Sequence, residues 1–379
     1  MIAVHTGSQK MDARFMGLGN PIEASTIQEA LIQGNLDWTV SKRPVVTTRD
    51  IPSYKEIGNP DLLTPNGTDR IVNLRYHLSR LLKDPSDENI LSEVADLLAE
   101  TEDSYIPHTN QFAVVRDDIN VPFGVLGRVY ECLSNAECIA ILEPLLTAGE
   151  AVIERAGYFN DGANCWIMVR FPEVISIAGE IIDQYMKLSW SHDGTEKLSA
   201  TFIAYIRNSN TQISPSVPGA RESIEIRHTT NAKQRMEIAK ELLKKGASYF
   251  NALEDKLLEL LNTPWTNTEM DEYLKALMPD SAKAKDSGKI TKASRNREEV
   301  LDIFTQSGHD IEGTKYAGFT SVAKWCDHEK PTRVTGKNKA EGDEEKIAQM
   351  RTEARLQGIW FKSGSARKMK DAAFKLIIK

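Results

Sequence analysis

The sequence lacks a phosphate-cradling loop: neither GxxxxGK[ST] nor GxGxxG occurs in its 379 residues, which argues against an ATP-driven recombinase or helicase. No run of eighteen or more apolar residues exists, so no transmembrane helix is expected. The first residues, MIAVHTGSQKMDARF, hold no apolar stretch of the signal-peptide kind, and a cytoplasmic place is expected. The four cysteines, Cys132, Cys138, Cys165 and Cys326, include no CxxC pair, so they read as buried free thiols. The seven histidines are dispersed, without the two-His-and-Glu helix motif of zinc hydrolases, and no GxSxG elbow is present. His192-Asp193 and Asp327-His328-Glu329 could each supply metal ligands, although short groupings of this kind arise often by chance. No cofactor is expected.

What is present is a charge divide. The net charge is −7, yet residues 283–379 hold 21 Lys or Arg against 14 Asp or Glu, leaving 26 basic against 40 acidic residues before them. A basic end on an acidic chain suits a polyanion-binding segment, and a solvated helical surface gives the same count.

Hydrophobic periodicity places the elements. Ser25, with Gln28 three residues on, has the capping-box pattern for a helix ending near Gly34. Leu36–Val40 begins a strand that Pro44 confines to an edge. Amphipathic helices are expected over 69–82 and 87–100. Strands follow at 112–116 and 121–127, then a helix over 136–148 capped by Asn135, then strands at 151–158 and 165–171 around Asn160-Asp161-Gly162. Leu188–Ser191 leads through His192-Asp193-Gly194 into Leu198–Arg207, whose alternate residues are apolar. Residues 208–220 are rich in turn formers, and 223–228 alternates again. A long helix spans 231–261, a second ends at Pro279, and a Lys/Ser/Ala-rich linker covers 280–296. Helices over 297–305, 313–327, 348–358 and 365–378 close the chain. Hairpins with an interposed helix predict an α+β fold: an antiparallel β-meander with long helices on one face and a helical C-terminal segment. The expected parts are an N-terminal arm and helical insertion (1–110), the sheet core (111–230), the long helix and its extension (231–282) and the basic C-terminal segment (283–379).

The candidate site residues are basic and aromatic. Arg227 and His228 end a strand just ahead of a helix carrying Lys233 and Arg235, where helix amides and cations together favour phosphate. The alternative reading pairs Arg227 with Glu225 or Glu222. Lys197 and Arg207 flank Tyr205 on the central hairpin, a mixture suited to tracking a backbone and stacking a base. Lys324, Lys330 and Arg333, around Trp325 and His328, form a second group. Trp166 and Trp190 read as core.

Five ordered blocks carry a resemblance: GNLDWTVSKRPV, FAVVRDDINVPFGVLGRVY, SHDGTEKLSATFIAYIRNSNT, IRHTTN and GTKYAGFTSVAKWCDHEKPTR. In that order they resemble the phage/plasmid-like family, the domain of unknown function nine-thirty-two. Two features depart from the family pattern. Arg207-Asn208-Ser209-Asn210-Thr211 stands where relatives have a Cys-Asn-Thr-Leu-like run, and residues 50–110 look like an insertion. The gross ingredients are also similar to those of phage single-strand annealing proteins, which combine a sheet of hairpins with long helices and assemble as rings or filaments. That similarity implies an ATP-independent, non-enzymatic protein that binds single-stranded DNA as a homo-oligomer in recombination or replication. The alternative expectation is a structural or host-interaction phage protein that binds no nucleic acid. A metal enzyme using His192, Asp193 and Asp327 is a third.

Overall fold

A computed structural model of the chain describes residues 18–24, 26–48, 105–213, 215–229, 231–232, 234, 236, 246–280, 291–332, 344–361 and 364–379. The helices expected over 69–82 and 87–100 lie outside these residues, as does most of the first half of the one expected over 231–261. The chain divides into two compact units, residues 1–40 with 131–379, and residues 41–130.

The larger unit is built on an antiparallel sheet with strand order β1-β5-β6-β7-β8-β10. Its strands are β1 (Asn20–Pro21), β5 (Val152–Phe159), β6 (Asn164–Ile177), β7 (Glu180–Ser191), β8 (Leu198–Ile206) and β10 (Ser223–Ile226), with the short β9 (Thr211–Ile213) also paired to β8. The fold is the expected α+β class, an antiparallel meander with a helical C-terminal segment. Strand β7 is much longer than the sequence pattern indicates. It is buried at every position from Ile182 to Ser191, including Asp183, Lys187, Ser189 and Ser191 on its more polar face, and Glu180–Gln184 shows no alternation of apolar and polar residues. A two-residue turn, Ala178-Gly179, joins it to β6 with both residues at positive φ, the conformation that matches strand twist.

Register fixes what each sheet face presents. Leu188, Met186 and Ile182 of β7 sit opposite Ala200, Phe202 and Ile206 of β8. On that face Phe202 packs on Tyr249 and Phe250 of α4 (Gly246–Leu261). Side chains one residue out of step point to the other face, where Trp166 meets Trp360 of α8 (Glu344–Trp360) with ring centroids 4.7 Å apart. The end of α8 thereby covers the second face. Lys187, buried in that layer, donates from Nζ to Trp360 O at 2.6 Å.

Five of the described helices begin where a side chain satisfies one of their first amides. In α1 (Ile27–Gln33) the capping box is built by Thr26 and Glu29, one residue later than Ser25 and Gln28. In α2 (Asn135–Ile139) the cap is Ser134 with Glu137, which corrects the role expected of Asn135. The helix expected to run on to Ala148 is interrupted at Ala140–Leu142 by a 3-10 turn and resumes as α3 (Glu143–Thr147), where Pro144 has no N–H to donate. The later helices are α5 (Asn267–Leu277), capped by Thr266 and Glu269, α6 (Lys292–Thr305), α7 (Lys315–Lys324) and α9 (Ser365–Ile377). Helix α7 runs into a π-turn, Trp325–Glu329, closed by Lys330 N donating to Trp325 O at 2.8 Å.

The smaller unit carries a three-stranded sheet, β2 (Val40–Thr48), β3 (Tyr105–Arg116) and β4 (Val121–Gly127), in the order β2-β3-β4. Pro44 accordingly lies on an edge strand. Arg116 donates to both carboxylate oxygens of Asp118 at 2.8 and 2.9 Å and holds that carboxyl below its usual range, clamping the β3–β4 turn.

Candidate nucleic-acid interface

Of the five described lysines and arginines expected to meet phosphate, three are engaged with carboxylates. Lys197 Nζ lies 2.6 Å from Glu225. Arg207 donates from Nε to Asp183 Oδ2 at 3.0 Å and from Nη2 to the other oxygen, a bidentate pair across β7 and β8. Lys324 sits 3.8 Å from Glu180. Tyr205 is buried; its hydroxyl donates to Gln212 and accepts from Trp360 Nε1, and burial pushes its pKa up, so it offers no surface on which a base stacks. His228 is buried as well, with its pKa pulled down to about 4 by desolvation. Arg227 remains exposed: Glu225 is taken by Lys197 and Glu222 by Arg367, and among the described residues no carboxylate pairs with Arg227. Lys233, Arg235 and Arg333 lie outside the described residues. Lys197 and Arg207 are exposed but ion-paired, so among the described residues of this region Arg227 alone of the expected cations has no carboxylate partner.

The charge divide has a structural component. Basic residues of the C-terminal segment neutralise acids in the preceding part: Arg297 pairs with Asp280 at 2.7 Å, Arg367 lies 3.7 Å from Glu222, and Lys324 reaches Glu180. At the centre, Lys370 pairs with Asp327, both buried, and donates to Gln212 O at 2.7 Å, while Asp327 accepts from Gln212 N at 2.8 Å. Each charge in that cluster has a partner and a backbone hydrogen bond, the condition under which a buried ion pair is tolerated.

Where the cations are not spent, they gather in a concavity of about 370 Å³ in the larger unit, lined by Lys292, Lys330, Arg355, Thr332, Ser365 and Cys326 among others. None of the described lining residues is acidic. Lys292 is the first residue of α6, whose first turn holds no acid, so a cation stands where the helix dipole is least favourable to one. Ser365 is the first residue of α9, which also lacks an acidic residue in its first turn and a side-chain cap. Arg355, on α8, donates from Nη1 to the carbonyl oxygens of Asp327 and His328 and is thereby fixed on the π-turn. Lys330 follows that turn and donates to Ser365 Oγ at 2.5 Å. Burial pulls its ammonium below the ordinary lysine range and the charge of Lys292 adds to the shift, against an opposing effect of Cys326. Like charges held together in a half-enclosed space cost stability and suit an anionic ligand. The Cys326 thiol, pushed up to about 12 by burial, is no nucleophile at neutral pH.

Only Lys330 of this group is among the residues singled out from sequence. Lys292 falls in the stretch read as a linker, where Thr291 in fact caps α6. Arg355 and Ser365 are brought in by packing of α8 and α9, which no local pattern encodes. The one sequence signal was a pair of helix starts carrying Lys or Arg and no Glu or Asp.

The groupings that suggested a metal are used otherwise. His192 Nε2 lies 2.9 Å from Asn135 Oδ1, which also accepts from Trp190 Nε1 at 2.9 Å, so His192 belongs to a buried joint between α2 and the sheet. Asp193 accepts from Thr195 at the hairpin turn, and Asp327 is held by Lys370. Among the described residues no group of three His, Cys, Asp or Glu could hold a metal ion, and no helix is long and apolar enough to cross a membrane.

Residues 122–350 match the family model described as a domain of unknown function (DUF932). No curated protein and no solved structure matches the chain.

Proposed function

We propose a function on the premise that this chain belongs to the DUF932 family, whose description assigns no activity: it binds single-stranded DNA through phosphate contacts, without nucleotide hydrolysis or other catalysis. The reading places it among phage-type proteins that coat or anneal strands as homo-oligomers in recombination or replication. One observation carries it, the Lys292, Lys330 and Arg355 pocket with no acidic residue among the described ones that line it. Two of the three cations lie within the matched residues, and the exposed Arg227 supplies a further contact on the same unit.

The test is a salt-titrated binding assay with single-stranded oligonucleotides. Each of Lys292→Ala and Lys330→Ala weakens binding and lowers the salt slope by about one unit or less, since single strands release roughly 0.7 counterions per neutralised phosphate. Unchanged affinity and slope in both variants would remove the pocket from the reading. A second reading, a structural or host-interaction protein that binds no nucleic acid, is favoured by the ion pairing of Lys197, Arg207 and Lys324. Absence of any oligonucleotide binding by the unaltered protein establishes that alternative.

A further inference from the structure

A basic groove open along its length suits the singly charged diesters of a continuous backbone. The geometry around Lys330 differs from that in three respects. Three cations, Lys292, Lys330 and Arg355, line one concavity, and the described residues contribute no carboxylate to balance them. Two of the three are fixed by neighbours, Arg355 by the carbonyls of Asp327 and His328, and Lys330 by Ser365. The wall is tight at the α8–α9 junction: a Cβ at Gly364 would strike the backbone of Gly358, and Gly358 and Ser365 both line the pocket. A diester brings one negative charge and needs an exit for chain on both sides. A phosphomonoester brings close to two charges at neutral pH, three acceptor oxygens and only one covalent attachment.

We propose that the Lys292–Lys330–Arg355 pocket takes a phosphomonoester, the terminal phosphate of a single strand, and so marks strand ends. The inference rests on the DNA-binding reading above and adds a preference to it. Lys330, preorganised against Ser365, supplies a point charge; Arg355 supplies a planar donor set; Lys292, free of acidic partners among the described residues, closes over the group.

The experiment measures anisotropy of one labelled oligonucleotide sequence with a 5′-phosphate, a 3′-phosphate or hydroxyl ends, bound to the full chain. A phosphorylated end binds about tenfold more tightly than hydroxyl ends, the effect of one additional charge-assisted hydrogen bond. Lys292→Met, at an exposed position where folding is not at risk, abolishes the difference between the ends, while the affinity for hydroxyl-ended DNA falls only as far as in Lys292→Ala. Millimolar inorganic phosphate lowers affinity for the phosphorylated strand more than for the hydroxyl strand if the pocket holds the terminal group. Equal affinity for all three strands overturns the end preference and leaves the DNA reading standing. A preference that survives both Lys292→Met and Lys330→Met shows that the ends are held elsewhere and overturns the assignment of this pocket. Failure of all three strands to bind overturns both.

Discussion

Replacing Lys370 by methionine tests whether the buried cluster under the pocket holds the larger unit together. Lys370 and Asp327 are 4% and 2% exposed, and the ammonium also serves Gln212 O, so Lys370→Met leaves a buried carboxylate without its cation and a buried carbonyl without one donor. Breaking one side of a buried pair costs about 3–5 kcal/mol. For a unit of roughly 290 residues the unfolding entropy is about 0.6 kcal/mol per degree, so the midpoint falls by about 5–8 °C. Calorimetry on the full chain reads this directly. The double variant Asp327→Asn with Lys370→Met removes the stranded charge and keeps an acceptor for Gln212 N, so it recovers more than half of the loss. A drop under about 2 °C for the single variant, or a double variant as unstable as the single, refutes the reasoning.

Two further outcomes follow from packing and burial. Gly318 lies in buried helix α7 where a Cβ would enter the ring of Trp265, so Gly318→Ala costs about 1–3 kcal/mol and Trp265→Leu in the same chain relieves most of it, as thermal unfolding will show. His228, with its pKa held near 4 against an ordinary 6.5, is neutral in the fold; its contribution is fully present above pH 6.5 and is lost as pH falls towards 4, by up to about 1.4 kcal/mol per unit. His228→Gln flattens the stability profile across that window, and an unaltered profile would show that other groups set it.

The sequence was most readable where apolar residues alternate along a strand, as in β8 although nearly all of it is buried, or where a cap is local. Val121–Gly127 and the core of β8 follow directly from alternation, and Thr266 announces α5 through Glu269. Glu180–Lys187 was not readable, because Glu-Ile-Ile-Asp-Gln-Tyr-Met-Lys does not alternate apolar with polar residues, and Ala178 adopts positive φ without being Gly, Asn or Asp. Asn135 looks like a cap in sequence and acts as a buried bridge between Trp190 and His192, a role set by residues more than fifty positions away. The cations of the hairpin were correctly placed on the strand ends, but their carboxylate partners lie on neighbouring strands, and sequence spacing does not reveal cross-strand pairing.

The five-residue turn Trp325–Glu329 has a mechanical consequence. Cys326 faces the cavity, Asp327 reaches inward to β9 and α9, and the carbonyls of Asp327 and His328 grip Arg355, all within three successive residues. Tension applied at Lys330 would pass through that knuckle to Gln212 of β9 and from there to β8 of the main sheet.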